Sequence, residues 1–444
     1  MKASSLQLIA QEKVTGPKGI YTLQASVLQC TRCNACVQSC PAYLCKPQEL
    51  FSPRGRVQTL RLLTENKFTF AQCEPYLKEL SASCMYCAQC SAACAGQLPI
   101  ALYMRAVERT LNLKRLPASL RMCLGIYHTY PACFDKLMRF LLILRRFKIL
   151  TLLTPVLPKW LRHANKILPA QSIPLRRILK QNGFNAAPEK PNLLYLPSLY
   201  AQYADAQTGW QTLQLVSAKK PYVLFGISSG LSEYLYGPLS KAQQAAKRLL
   251  VQWEKSAAGR TLPLLTDSIE IYAFLKNYPL LFAALPGWQQ RAQKFADQVI
   301  YISDLPVKKR EELSGKTVAP ETSCALFPVK NIAAAVQKIL LTDRRSNLLE
   351  FEYSRFPLPT AGLAFARHPQ TEELVRRHVQ DLTRQQIAEV YCLSGWAALE
   401  LQTAARSLYP SLKAQHLIYG IKGYGRSQKR ERTTLGRRKT KSAD

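Results

Sequence analysis

The chain has 444 residues, too many for one hydrophobic core, so two or three domains are expected. Hydrophobic residues make up 48% of it, which is ample for packed interiors and excludes a largely disordered polymer. The balance of 61 Lys and Arg against 28 Asp and Glu, net +33, points to an anionic partner: acidic protein, phospholipid headgroups or nucleic acid.

The N-terminal MKASSLQLIAQEKVTG lacks the apolar run and small-residue cleavage site of a secretory signal, so a cytoplasmic protein is expected. In a reducing compartment 14 cysteines do not form a disulfide framework, and those with motif spacing read as ligands of a metal or cluster. No stretch qualifies as a membrane span. The best candidate, FLLILRRFKILTLLTPVLP (140–158), is broken by Arg145, Arg146, Lys148 and two prolines. Peripheral contact with the inner face of a membrane stays compatible with the charge.

After an N-terminal extension (1–20), a helical domain (21–115) carries two cysteine loops. CTRCNACVQSC supplies Cys30, Cys33, Cys36 and Cys40, and the same spacing returns at Cys84, Cys87, Cys90 and Cys94. Two-residue gaps let three sulfurs of one tight loop reach three corners of a [4Fe–4S] cube. The fourth cysteine lies on the helix leaving the loop, and in two-cluster ferredoxins it ligates the other cube. The expected assignment is therefore crossed. Cys30, Cys33, Cys36 and Cys94 would hold one cluster, and Cys84, Cys87, Cys90 and Cys40 the other. Pro41 follows the first loop as the motif expects, whereas Ala95 replaces the second proline. Zinc also uses paired cysteines, but typically as two separated pairs round one ion. Thr31, Asn34, Gln38, Ser39, Gln89 and Ser91 offer donors that tune cluster sulfurs. Cys45 and Cys73 fit neither loop and read as ordinary thiols.

A basic helical connector follows (116–190), interrupted by Pro117, Pro131, Pro155, Pro158, Pro169 and Pro174. From Arg105 to Lys180 there are 16 Lys and Arg against Glu108 and Asp135. Leu137, Phe140, Leu141, Leu144 and Phe147 recur at helical spacing. That stripe reads as a face packed on the rest of the protein, with shallow membrane-surface contact as the alternative.

Beyond residue 190 the pattern alternates. NLLYLP (192–197), YVLFGI (222–227), LPLLT (262–266) and QVIYI (298–302) read as buried strands, with helices near 239–254, 269–283 and 288–297. TVA (317–319), LLEFEY (348–353) and AEVYCL (388–393) form a weaker set, with helices near 331–341 and 370–386. The fold expected is a helical two-cluster domain followed by two tandem α/β modules, 191–312 and 313–422, with mostly parallel sheets. Residues 423–444 read as a basic, disordered tail; from Lys413 to Asp444 there are ten basic residues against two acids.

CTRCNACVQSCP, FSPRGRVQTLR (51–61), CMYCAQCSAAC and the tandem α/β region together resemble the iron–sulfur subunit of glycolate oxidase and its relatives in lactate and glycerol-3-phosphate oxidation. The resemblance implies two [4Fe–4S] clusters that take electrons from a flavin-containing dehydrogenase subunit and pass them towards quinone. The chain shows neither a GxGxxG after a strand nor a P-loop, which assigns hydride chemistry on a 2-hydroxy acid to the partner. No catalytic residue is expected here. The family's α/β modules carry paired and strand-to-helix cysteines. Here Ser228 and Ser229 (GISSGLSEY), Pro357 and Leu358 (FPLPTAG), and the positions near Ile271 and Trp396 lack them. Cys324 alone stands where one is expected, and Cys392 lies in a strand. Serine and proline are no substitutes for thiolate ligands, so no additional cluster is expected. This loss motivates the alternative reading, a docking or assembly protein whose clusters are structural. Nucleic-acid binding rests on charge alone, without a groove-reading motif. Arg54 and Arg56 either offset cluster charge, meet the partner or fix the loop by a salt bridge. The five histidines, His128, His163, His368, His378 and His416, sit in no motif.

Overall fold

The computed structural model describes residues 13–16, 19–22, 27–96, 98–111, 117–168, 173–305, 317–321, 347–348 and 371–421. Its architecture is α plus α/β: a helical N-terminal part followed by two units with parallel sheets.

Strands β1 (Lys13–Gly16) and β2 (Gly19–Thr22) form an antiparallel hairpin. The helices that follow are α1 (Pro41–Cys45), α2 (Pro53–Thr64), α3 (Phe70–Ser83), α4 (Gln89–Ala92) and α5 (Ile100–Thr110). The FSPRGR run sets the start of α2. Ser52 is its N-cap and accepts from the Gly55 N–H at 2.8 Å, and Pro53 opens the first turn, where no N–H is needed. Gly55 is required for space, because a Cβ there would stand 2.1 Å from the Glu49 carbonyl oxygen. Thr69 and Gln72 cap α3 reciprocally. Val57 and Leu60 of α2, Leu77 and Leu80 of α3, and Tyr103 and Val107 of α5 close the core between them.

The connector forms α6 (Ala118–Thr129), α7 (Pro131–Arg146), α8 (Ile149–Leu152), α9 (Lys159–Ile167) and α10 (Leu175–Gln181). Here the structure corrects one expectation in part, since Leu137, Leu141 and Leu144 of the stripe are half-buried. In the α7 stripe, Phe140 and Phe147 are 55% and 69% exposed, while the residues the helix buries are Phe134 and Leu142. Phe134 meets Tyr127 and Tyr203 edge-on, with ring centroids 4.9 and 5.8 Å away. Periodicity records which side chains share a face, not whether a neighbour covers it.

In the first α/β unit, β3 (Leu193–Leu196), β4 (Pro221–Val223), β5 (Leu264–Thr266) and β6 (Val299–Tyr301) form a parallel sheet in the order β4-β3-β5-β6. Alternation along β3 sends Leu194 and Leu196 into a core shared with the N-terminal helices, and Leu193 and Tyr195 into a second core on the other face. The intervening helices are α11 (Ala206–Leu215), α12 (Leu231–Tyr236), α13 (Leu239–Ala257), α14 (Ile269–Lys276), α15 (Tyr278–Leu281) and α16 (Pro286–Asp297).

The second unit has β7 (Thr317–Glu321), β8 (Asn347–Leu348), β9 (Glu389–Cys392) and β10 (Lys413–His416), with α17 (Thr371–Arg384) and α18 (Gly395–Leu408). Its parallel order, β8-β7-β9-β10, repeats that of the first sheet. The anticipated helix near 331–341, most of the strand at 348–353, FPLPTAG, Cys324 and the tail lie outside the described residues.

The helical part contacts both sheets. Buried Arg105 of α5 donates to the carbonyls of Tyr234 at 3.0 Å and Gly237 at 2.8 Å in the first unit. Met85, in the second cysteine loop, joins the core of the second unit, and Arg377 of α17 donates to the Leu44 carbonyl at 3.0 Å.

Candidate metal centre

The two cysteine loops adopt one backbone shape. Arg32 and Asn34 flank Cys33 with φ of 60° and 68°, and Tyr86 and Ala88 flank Cys87 with φ of 55° and 57°. Non-glycine residues enter this left-handed region at a cost, and here they do so at equivalent places in both loops. Alternating hands of this kind curl a peptide into the concave nests that surround iron–sulfur cores.

The sulfurs fall into two quartets. Burial pushes the Cys36 thiol up to about 11, and the sulfurs of Cys94, Cys30 and Cys33 add to the shift. These four side chains rim one open cavity, together with Arg54 and Val57. Burial likewise raises Cys90 well above the ordinary thiol range, assisted by Cys87, Cys40 and Cys84 and opposed by Arg56. Each loop's fourth cysteine thus sits with the other loop's first three. Among the described residues, no three His, Cys, Asp or Glu side chains converge as tightly as the ligands of one bare ion would.

Crowded thiols such as Cys36 and Cys90 resist ionisation unless a positive core takes the protons' place, which is the chemistry an iron–sulfur cube supplies. The donor set fits that group: all-sulfur, four per site, at two sites. The surroundings of the two quartets differ. Residues 31–35 of the first loop are exposed, and there the Ala35 N–H and the Thr31 side chain hold the Cys33 thiol below its usual range. In the second loop Cys84, Met85, Tyr86, Ala88 and Cys90 are buried.

Arg54 and Arg56 take different tasks. Arg54 pairs with Glu49 at 2.7 Å and donates to the Asn34 side-chain oxygen, fastening the first loop to α2. Arg56 is buried; it donates to the Cys40 sulfur at 3.6 Å and to the Ser83 hydroxyl at 3.0 Å. Its Nε has no partner among the described residues. Burial works to lower the Arg56 pKa, but the sulfurs of Cys84, Cys40 and Cys90 outweigh it and raise the pKa. A buried guanidinium with one orphaned donor, set between the Cys40 sulfur and the Ser83 hydroxyl, suits an anionic cluster in that space. On the other side, Gln58 Nε2 reaches towards the Cys30 sulfur at 3.9 Å.

A second cavity lies at the carboxyl ends of β3, β4 and β5, the switch point at which α/β sheets bind ligands. Ser228, Ser229, Ile271 and Trp396, at or near the positions where the resemblance would set cysteines, all line it. No thiol of the described residues joins them there. Cys392 is buried in β9, Cys45 is half-buried against the second unit and Cys73 is buried.

Among the histidines, His416 is buried, its Nε2 donating to the Asp267 carbonyl at 2.9 Å while Nδ1 accepts from the Ile418 N–H at 3.3 Å. His163 meets Glu400 at 2.6 Å, a pairing 237 residues apart in sequence. The sequence also gave no sign of the buried Arg105–Glu108 pair at 2.9 Å, to which the Tyr86 hydroxyl donates.

No protein-family model matches the chain, and no solved structure matches it. A curated relative does. The glycolate oxidase iron-sulfur subunit of Escherichia coli (strain K12) is 22% identical over 333 residues, covering 70% of this chain and 74% of the relative. The chain is similar to the iron–sulfur subunit of an oxidoreductase, and the resemblance first carried by its two cysteine loops extends across most of its length.

Proposed function

We propose that this chain is the electron-transfer subunit of a 2-hydroxy acid dehydrogenase complex of the glycolate oxidase kind. Cys30, Cys33, Cys36 and Cys94 would hold one [4Fe–4S] cluster, and Cys84, Cys87, Cys90 and Cys40 a second. Such clusters accept and release single electrons; the hydride chemistry belongs to a flavin-containing partner, and quinone is the eventual acceptor. The chain's own residues fix the sulfurs and set their electrostatics. Arg54 ties the first loop to α2, Gln58 approaches one of its sulfurs, and Arg56 lends positive charge beside the other quartet. The observation that carries this reading is the exchange of fourth cysteines, Cys94 beside the first loop's sulfurs and Cys40 beside the second's.

Anaerobic purification with iron and sulfide analysis and electron paramagnetic resonance tests it. About eight irons per chain are expected, reducible when substrate is given to the reconstituted complex. Zinc in place of iron, or clusters that stay oxidised while the flavin is reduced, would overturn the proposal. The thiol-free cavity at the sheet switch point favours a second reading, in which the chain docks partners and its clusters are structural. Reversible reduction of both clusters during turnover rules that reading out.

A further inference from the structure

Of the 16 exposed large hydrophobic residues among those described, nine lie between Met122 and Val156. The densest group is the turn that joins α7 to α9. Leu152 is 80% exposed, Val156 79% and Phe147 69%, with Ile149 and Leu153 exposed beside them. Exposure that complete belongs to a projecting point and not to a groove, and large apolar side chains gathered on one point mark a contact surface.

The projection is built. Lys148, in the left-handed region at φ 60°, turns the chain out of α7. Leu150 is buried and anchors the tip from inside. Arg145 clasps the base by donating to the Ala164 carbonyl at 3.5 Å and to the Leu168 carbonyl, which binds α7 to α9. Through His163 and Glu400, α9 is in turn held to α18 at 2.6 Å.

Charge selects the occupant. Arg146, Lys148, Lys159 and Arg162 are exposed round the tip, and no Asp or Glu occurs from Lys136 to Pro188. A protein partner of this convex apolar tip would need a matching apolar pocket edged with acids. An anionic bilayer offers both elements without any shape requirement, phosphate at the headgroup and hydrocarbon just beneath. No helix of the described residues is long and apolar enough to cross a membrane, so the contact is with the surface.

We propose that the α7–α9 tip is a foot that seats the protein on an anionic phospholipid bilayer, with Phe147, Ile149, Leu152, Leu153 and Val156 entering the interface and the basic residues meeting the phosphates. The inference rests on this surface alone and stands or falls apart from the thiol quartets.

The test is flotation of the full-length protein with vesicles of phosphatidylcholine containing one-third phosphatidylglycerol, beside vesicles of phosphatidylcholine alone. The native chain floats with the anionic vesicles and only weakly with the neutral ones. The triple variant F147D/L152D/V156D loses at least about tenfold in partitioning while keeping its iron content and cluster absorption. Binding of the variant equal to native would show that charge elsewhere suffices, and would overturn the proposal. So would failure of the native chain to float, or a native chain that ignores vesicles while the variant loses a co-purifying flavoprotein, which would make the tip a protein interface. Iron content measured on the same samples reports on the thiol assignment independently.

Discussion

Replacing Arg56 with methionine removes a buried positive charge whose Nη1 stands 3.6 Å from the Cys40 sulfur. If that quartet holds a cluster, its reduction would add one electron spread over the core; taking the separation from the guanidinium as ~6 Å and the effective dielectric constant as about 20, the lost attraction is about 3 kcal/mol. For a one-electron couple that is about 120 mV, so the midpoint potential of the cluster proposed for the Cys84, Cys87, Cys90 and Cys40 quartet is expected to fall by roughly 100 mV. A cluster in the first quartet, whose sulfurs are not among those acting on Arg56, would move much less. Redox titration followed by electron paramagnetic resonance reads the two separately. Arg56→Lys is the control, since it keeps the charge and loses the paired donors to Cys40 and Ser83; it should recover most of the shift. A methionine variant that retains both clusters at native potentials would refute the reasoning. So would a lysine variant that falls as far as methionine, since geometry and not charge would then be responsible.

Arg105→Met leaves the Glu108 carboxylate buried without its cation and deprives the Tyr234 and Gly237 carbonyls of a donor, at an expected cost of about 3–5 kcal/mol. The melting temperature should drop sharply, and adding Glu108→Gln should restore much of it; no recovery in the double variant would contradict the assigned pairing. Stability should also depend on pH through His416, whose imidazole burial holds below its ordinary pKa. The unfolded chain takes up a proton near pH ~6.5 that the folded chain refuses, so this contribution is intact above that pH and is lost as pH falls towards the folded value, by up to about 1.4 kcal/mol per unit. Native protein should therefore lose more in thermal melts between pH 7.5 and 5.5 than His416→Gln does, and equal losses would remove His416 from the account.

The parts of this protein legible in its sequence are those in which local pattern and final environment coincide. The doubled cysteine spacing marked both loops, and the apolar runs at Leu193–Leu196 and Leu264–Thr266 lie at the centre of a sheet where burial on both faces demands continuous hydrophobicity. Strand β10, KAQH, carries no such run, because it lies at the edge of the second sheet, paired on one side only. What remained hidden depends on distant residues. Nothing in SPRGR says that one arginine reaches outward to Glu49 and the next inward to sulfur; that follows from their positions on α2 once the helix is capped at Ser52. Ser228, Ile271 and Trp396 gain meaning only when two sheets and a helix connector bring them to one cavity. Phe140 and Phe147 show the converse, a clear pattern whose cover is absent from the described chain.

The unequal exposure of the two loops gives the molecule a doorway and an inner room. Residues 31–35 open the first quartet to the outside, whereas the second is enclosed by α2, α3 and the core of the second sheet. On the proposed reading, an electron that enters through the first loop would pass next to the enclosed quartet, where Arg56 would favour its arrival. Dioxygen would meet the same threshold, so a cluster held by the first quartet would be the first that air strips.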